Sequence, residues 1–413
     1  MRLLIITPYY PPETGAPQAR LHELARRLAG RGHEVSVLTG MPNYPTGRIF
    51  DAYKGRVRMK ETVDGIPVLR TWFYPSNSAR TLPRLVSYLS FAVSSLTLGG
   101  IGLGRHDVAL VESPPLFVVP TGLVVAKLHG ARTIMMVSDI WPDILVRMGH
   151  ARPGVSLSLM LWLESFCYRH ADVVALTNPG AERQVAARFP AVRTTVISNG
   201  VDTRLFRPEN RSEALRQSWG VTTTDFVVGY CGLHGLAQGL DVVLDAAERL
   251  LLFRDIRILM VGEGPLKGHL VKTAQDRHLT NLTFLGQRPK TEMPALLASC
   301  DASLVPLSTR LPGTMPSKLF EALAAGTPPI IARGCEGESL VLEHDAGSVF
   351  EPLDGRELAD VIRGLAADRA AWARKRENSL QLAQRFDREA IASRTESVLR
   401  AVATGGALPT VEW

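Results

Sequence analysis

Short apolar runs alternate along the chain with stretches in which apolar residues recur every three or four positions. The first kind predicts strands at "LLIIT" (3–7), "EVSVLT" (34–39), "PVLRTWF" (67–73), "VALVES" (108–113), "TIMMVS" (133–138), "VVALT" (173–177) and "TTVISNG" (194–200). The second kind predicts helices between them. In 17–31, for example, Leu21, Leu24, Ala25 and Leu28 share one helical face. After "NGVDTRLFRP" the pattern restarts, with strands predicted at "FVVGYCG" (226–232), "RILMVGEG" (257–264), "LTFLG" (282–286), "ASLVP" (302–306), "PPIIA" (328–332) and "AGSVF" (346–350). Strand and helix in regular alternation imply an α/β protein built on parallel sheets. The expected domains are 1–200 and 201–385, joined by a linker near 200–215 where Asn, Gly, Asp and Pro cluster. A last amphipathic helix is predicted over 386–405, at the head of a closing segment 386–413. Two doubly wound domains in series would line a cleft with the carboxyl ends of their strands.

The length of 413 residues agrees with two domains rather than one core. The four cysteines, Cys167, Cys231, Cys300 and Cys335, are scattered without a CxxC pair. That speaks against a zinc site or a disulfide framework and fits a reducing cytosol. Met1 leads straight into a strand, so no signal peptide is expected. The formal net charge is +7, and its excess is visible early, at Arg26, Arg27, Arg31, Lys54, Arg56, Arg58, Lys60, Arg80, Arg84 and Arg105. A basic surface favours anionic partners such as a membrane, nucleic acid or phosphorylated substrates, and is equally a plain solvated face. Between Arg84 and Arg105 lies an uncharged stretch, "LVSYLSFAVSSLTLGGIGLG". Its length admits a membrane span, an apolar helix lying in the membrane interface, or a core helix of the first domain.

The candidate chemistry sits at strand ends. "TPYYPPETGAPQAR" (7–20) follows the first strand, and Gly15 there would let backbone approach a phosphate. It is not GxGxxG, which disfavours a dinucleotide oxidoreductase. "GYCGLHGLAQGLD" (229–241) opens the second domain with Gly232, Gly235 and Gly239. His234 within it is a phosphate donor or a plain loop histidine. "VGEGPLKGHL" (261–270) is a third glycine turn, with Lys267 either near a ligand or part of the turn. "PSKLFEALAAGTPPII" (316–331) reads as a helix start, a helix and a buried strand. Pro316, Ser317 and Lys318 at that start combine N–H groups, a hydroxyl and a cation, a ready anion site. Glu321, one turn on, would repel phosphate and suits sugar or ribose hydroxyls, or simply faces solvent. In "MMVSDIWPDILVRMG" (135–149), Asp139 ends a strand and can act as a base or grip hydroxyls. Asp143 can do the same or cap a helix. No HExxH, P-loop, Ser-His-Asp order or DxD pair is present, so no metal is expected.

"YYPPETGAPQARLHELARRLAGRGHEVSVLTG", "DIWPD", "ISNGVDTRLFRP", "YCGLHGLAQGLD", "VGEGP" and "MPSKLFEALAAGTPPIIA", in this order and spacing, make the chain resemble glycosyltransferase family 4. These are retaining sugar-nucleotide transferases of the GT-B fold. The likeness is strongest to bacterial N-acetyl-fucosaminyl transferases of surface-polysaccharide and O-antigen assembly. The resemblance covers nearly the whole chain. It implies two Rossmann-like domains, the first for acceptor and the second for donor, with the last helix crossing back onto the first. It implies that Gly15 touches the donor diphosphate and that Glu321 binds ribose. Two departures stand out. The family pattern has two glutamates eight positions apart, and the earlier position here is Gly313, so sugar hydroxyls are expected to meet backbone near Gly313 and Thr314. The phosphate cations common in the second domain's first loop are replaced by Leu233 and Gln238, with Lys318 and His234 as substitutes.

The expected donor is a UDP-sugar, its uracil and ribose near Gly262, Gly264, Pro265 and Glu321. Its diphosphate is expected near Gly232, His234, Gln238, Ser317, Lys318 and Gly15. Asp139, Lys318 and Glu321 are the expected catalytic group. The expected acceptor is a saccharide, lipid-linked at the cytoplasmic face of the plasma membrane, where the enzyme would rest peripherally. A soluble small-molecule acceptor is the alternative. No nucleic acid partner is expected. Two other readings share the fold: a sugar-nucleotide epimerase or phosphorylase, and a binding subunit without turnover.

Overall fold

The computed structural model describes residues 1–413 apart from 77, 79, 80, 150 and 411–413, with the side chains of 16 and 81 also left aside. Arg80, counted above among the basic residues, lies outside the described residues. The chain divides into two compact units, Met1–Asn199 with Arg388–Trp413, and Gly200–Asp387.

The first unit holds β1 (Arg2–Ile6), β2 (Glu34–Gly40), β3 (Arg58–Val63), β4 (Ile66–Thr71), β5 (Val108–Ser113), β6 (Arg132–Val137), β7 (Val173–Leu176) and β8 (Thr194–Val196). Among the described residues they form one sheet in the order β3-β4-β2-β1-β5-β6-β7-β8. All neighbours are parallel except β3 and β4. Leu3 and Ile5 of β1 enter one core and Leu4 and Ile6 the other. Continuous apolar runs are what strands covered on both faces require. The hairpin β3–β4 turns at Asp64 (φ 48°) and Gly65 (φ 81°). Two positive φ angles in a two-residue loop make the turn that matches strand twist. The predicted seventh strand, 194–200, ends at Val196.

The helices of this unit are α1 (Ala16–Gly30), α2 (Thr81–Ser94), α3 (Val119–Leu128), α4 (Asp143–Arg147), α5 (Val155–His170) and α6 (Pro179–Arg188). The second unit adds α7 (Glu213–Ser218), α8 (Asp241–Arg249), α9 (Lys267–Asp276), α10 (Met293–Ala298), α11 (Lys318–Ala324), α12 (Glu336–Glu343), α13 (Gly355–Ala367) and α14 (Arg369–Arg385). The chain then returns to the first unit as α15 (Arg388–Thr404). Ala392, Val398, Leu399 and Val402 of α15 join Leu21, Leu24 and Leu28 of α1 in one core. Arg31 clasps Glu389 at 2.6 Å and Glu396 at 3.2 Å at its edge.

The second unit's strands, β9 (Phe226–Cys231), β10 (Ile256–Val261), β11 (Leu282–Leu285), β12 (Ala302–Val305), β13 (Pro329–Ala332) and β14 (Ser348–Phe350), are all parallel in the order β11-β10-β9-β12-β13-β14. Its two chain ends are tied side by side: Val201 N donates to Phe386 O at 2.9 Å, and the Thr203 hydroxyl to Asp387 at 2.7 Å. The strand order reverses between β1 and β5 in the first sheet and between β9 and β12 in the second. Loops leaving the carboxyl ends of strands at such a reversal have no neighbour crossing over them, and ligands bind there.

The uncharged stretch 85–104 is divided between a helix, a turn and irregular chain. It belongs to α2 and a following wide turn at Ser95–Gly99, and among the described residues no helix is long and apolar enough to span a bilayer. Phe91 packs inward on Phe73 and Val118, while Leu82, Val86, Leu89 and Val93 face out.

Candidate functional site

In the second unit three loops converge where the sheet reverses. The first leaves β9 at Gly232. Its backbone is zipped to the loop after β10: Gly232 N donates to Val261 O at 2.8 Å, His234 N to Glu263 O at 2.9 Å, and Leu266 N to His234 O at 3.0 Å. The approach is so close at Gly262 (φ 142°) that a Cβ would overlap the Gly232 carbonyl. The third loop follows β12 and leads into α11. It is joined to the first by Ser308 N, which donates to Ala237 O at 2.9 Å.

Lys318, the first residue of α11, reaches back to the β9 loop. Its Nζ lies over the Tyr230 ring, 4.3 Å from the centroid, and donates to the Tyr230 hydroxyl at 3.1 Å. The same Nζ occupies the space where a Cβ on Gly232 would stand. Only glycine therefore allows the cation to rest against this loop. Burial depresses the Lys318 pKa from 10.5 to about 8, with Cys231 and Glu321 pulling the other way. A cation held in low dielectric with one neutral hydrogen bond is poised for an anion.

His234 is fully buried, tilted against Tyr230 at 5.7 Å and edge-on to Phe284 at 6.4 Å. Neither ring nitrogen has a partner, and burial, then Lys267, lowers its pKa. It is a neutral imidazole with unused hydrogen-bonding capacity. Gln238 ends a short turn before Gly239, its Oε1 buried and unpartnered. Gly264 lies against the His234 carbonyl and Pro265 is exposed beside it. Pro316 O accepts from Leu319 N at 3.1 Å, and Ser317 precedes α11 without a side-chain cap. Glu321 is half-buried one turn along the same helix.

Neighbouring polar groups are engaged within the fold. Lys267 donates to Gly262 O at 2.9 Å, Leu285 O at 3.1 Å and Glu263 at 2.6 Å, so it ties strand ends together rather than facing a ligand. The N–H of Gly313 donates to Glu336 at 3.0 Å and that of Thr314 to Leu311 O at 3.1 Å, so both are engaged within the loop. Glu336 was not legible beforehand because its partner lies 23 residues away.

In the first unit, Asp139 follows β6 and is half-buried. Burial raises its pKa, Glu112 adds to the rise, and Arg20 opposes it. Glu112, near the end of β5, accepts from Arg20 of α1 at 2.6 Å and from the Ser138 hydroxyl at 2.9 Å. Arg20 also donates to Ser138 at 3.1 Å. One guanidinium thus serves two carboxyl groups at the carboxyl edge of the sheet. The acid closing the apolar run "VALVES" is the signal that could have found Glu112. Asp143 belongs elsewhere: it pairs with Arg188 at 3.1 Å.

Gly15 stands at the start of α1 in extended backbone, and the Gln18 side chain covers the place of a Cβ. The loop before it is clamped by Glu13, which is buried and accepts from Tyr10 N at 3.1 Å and from Asn43 N and Tyr44 N, both at 2.8 Å. Burial lifts the Glu13 pKa to about 7 against the pull of those bonds. The buried Arg70 holds the same loop through Pro11 O and Gly40 O. Among the described residues, no three His, Cys, Asp or Glu side chains are grouped to hold a metal ion.

Two Rossmann-like sheets in series, with glycine loops at the reversals, define the GT-B class of glycosyltransferase. The chain belongs to the family 4 glycosyltransferases: its residues 15–200 match the glycosyl transferase 4-like domain and 211–385 the glycosyl transferases group 1 domain. It is an enzyme of the hexosyltransferase class. It is 30% identical over 345 residues to WcaI of Escherichia coli K12, a glycosyl transferase named for colanic acid biosynthesis, with 80% of this chain and 83% of that protein covered. A Mycobacterium tuberculosis protein, named a GDP-mannose-dependent alpha-(1-6)-phosphatidylinositol dimannoside mannosyltransferase, is 31% identical over 338 residues, covering 81% and 80%. The sucrose-phosphate synthase structure from Thermosynechococcus elongatus superposes with a TM-score of 0.76 at 17% identity, covering 98% of this chain and 100% of that one.

Proposed function

We propose that this glycosyltransferase moves a sugar, with retention, from a nucleoside diphosphate donor to a lipid-linked saccharide in cell-surface polysaccharide synthesis. The observation that carries the donor half is the seat of Lys318: a half-buried cation laid against glycine backbone at the sheet reversal. A diphosphate there would meet the Nζ and a neutral His234 N–H. Glu321 would accept from ribose hydroxyls on the same helix. As the bond from the anomeric carbon to the phosphate oxygen breaks, charge gathers on the diphosphate, where fixed donors stabilise it most. The acceptor oxygen bonds to the same face of the carbon and its proton passes to the released diphosphate. Asp139, with Arg20 and Glu112 behind it, would orient the acceptor or the sugar.

A UDP-sugar is the donor the resemblance implies. GDP-mannose is the donor named for the mycobacterial relatives, so both belong in the test. The acceptor reading draws on the polysaccharide and phosphatidylinositol mannoside names among relatives. The first experiment is thermal melting with UDP-, GDP- and dTDP-sugars, since a ligand of the native state alone raises its melting temperature. One nucleotide class should raise it and the others not; no shift with any would remove the diphosphate site. Glu321→Ala should abolish sugar transfer with the fold intact, and full activity in that variant would overturn its assignment.

A further inference from the structure

α2 is unusual for a surface helix. Two serines point in beside Phe91 and Ala92: Ser87 is buried and donates to Tyr74 O at 2.8 Å, and Ser94 is buried and donates to the Thr71 hydroxyl at 3.1 Å. A second apolar stripe points out, with Leu82, Val86, Leu89 and Val93 all exposed at intervals of three or four. A helix in water normally keeps its outer face polar.

The helices beside it continue this. α3, which packs on α2, exposes Val124 and Leu128, the latter 69% accessible. α5, which packs on α3, exposes Val155, Leu159 and Trp162 along one stripe. Trp162, 61% accessible, stacks on Phe166 at 5.7 Å, which stacks on His170 at 4.1 Å. Rows of exposed apolar side chains on three helices packed in succession exceed the single scattered residues ordinary for a soluble surface.

The charge on this layer has one sign. Although 40 of the 413 residues are Asp or Glu, none occurs in 81–105, 114–138 or 144–163, the stretches that carry α2, α3 and most of α5. Glu164, the next residue of α5, is fully buried and paired with Arg188 at 2.6 Å. The charged residues of these stretches are cations, with Arg84, Arg105, Lys127, Arg147 and Arg152 exposed. The opposite side of the same unit differs: α1 and α15 present Glu23, Glu389 and Glu396 paired with arginines.

We infer that the outward face of α2, α3 and α5 docks on an anionic phospholipid surface, its apolar stripe at the acyl boundary and its cations at the headgroups. Apolar area and unopposed basic charge are the two terms that bind a protein in the membrane interface, and an exposed Trp favours that depth. The inference goes beyond the reaction, and its consequence, that the enzyme meets its acceptor on the bilayer, rests on the lipid-linked reading above.

The test is flotation of the full chain with vesicles of phosphatidylcholine containing about a third phosphatidylglycerol, beside vesicles of phosphatidylcholine alone. The wild type should float with the anionic vesicles and be released as salt rises. Val86→Glu with Leu89→Glu, and separately Leu159→Ser with Trp162→Ser, should each weaken binding roughly tenfold with melting unchanged, since all four residues are exposed. No flotation of the wild type, flotation of both variants like wild type, or a wild-type oligomer that the variants dissociate would each overturn the inference. Slow hydrolysis of the nucleotide sugar in buffer should be equal in all three proteins. Its persistence without vesicle binding would sink the surface and leave the transferase reading intact; its absence with binding intact would do the reverse.

Discussion

Lys318→Met separates the stability of the donor site from its use. Methionine keeps most of the side chain's length and apolar contact while removing the cation. A pKa lowered from 10.5 to about 8 by burial corresponds to about 3 kcal/mol of preference for the neutral amine, at ~1.4 kcal/mol per tenfold. The sign follows from proton counts. Below about pH 8 folded and unfolded chains both carry the proton, and the folded state bears the full desolvation penalty. Between about 8 and 10.5 the folded protein has released the proton and the unfolded chain keeps it, so stability rises with pH; above that the penalty is gone. Against this, the variant loses a hydrogen bond to Tyr230 of about 1 kcal/mol and a cation–ring contact of about 0.5–1 kcal/mol. Near pH 7 the variant should therefore be more stable by about 1–2 kcal/mol, which for a unit of this size raises melting by ~2–8 °C. Near pH 10 the gain should vanish or reverse. Nucleotide binding should fall by roughly one to two decades, the worth of one charge-assisted hydrogen bond. Thermal melting at both pH values, with and without the nucleotide that shifts the wild type, reads every part. A variant less stable near pH 7, or a difference that ignores pH, would refute the buried cation. Undiminished nucleotide affinity would refute its role.

Two further predictions concern the first unit. Glu13→Ala strands three backbone N–H groups, each costing about 1–3 kcal/mol when unmet, so the variant should unfold at markedly lower denaturant; a change under ~0.5 kcal/mol would show that water replaces the carboxylate. Asp139→Asn should leave nucleotide-induced melting shifts unchanged and lower transfer, and since burial raises the Asp139 pKa, the wild type's transfer rate should fall on acidification above the ordinary aspartate range. A pH profile of the variant with the same acid limb would assign that limb to another group.

The parallel strands were legible because burial on both faces writes them as unbroken apolar runs, as in β1 and β5. β3 was not, because it is a charged edge strand, "RMKETV", whose neighbour lies on one side only. Its signal was the Asp64-Gly65 turn rather than its composition. α2 showed its apolar content but not its direction, because the serines that face inward are satisfied by a carbonyl 13 residues away and a hydroxyl 23 residues away, and no local period records them. In the second unit Lys318 and the glycines of 232 and 262 could be picked out, since close backbone approach admits little else. Arg20 and Glu112 could not be joined, being 92 residues apart in the chain. Glu13 lies 30 residues from Asn43, and nothing near either one announces the clamp.

The ionisable side chains packed into the second unit fall into two kinds. Arg216 is wholly buried just before β9, where Asp301 accepts from it at 3.0 Å and the carbonyls of Ser299, Thr222 and Asp225 at 2.7–3.0 Å. Asp301 in turn takes the N–H of Val227 at 2.8 Å. This pair sits at the amino ends of β9 and β12, with its hydrogen-bonding groups largely spent on the fold. Removing one partner there would leave a bare charge and cost about 3–5 kcal/mol. At the carboxyl ends of the same two strands, Lys318 has one neutral hydroxyl and His234 has nothing. Exchange of Lys318 for an apolar residue is expected to raise stability near pH 7. Ionic groups saturated at one end of a sheet and left wanting at the other are the contrast on which the proposed diphosphate site rests: an incoming anion there would complete what the chain alone does not.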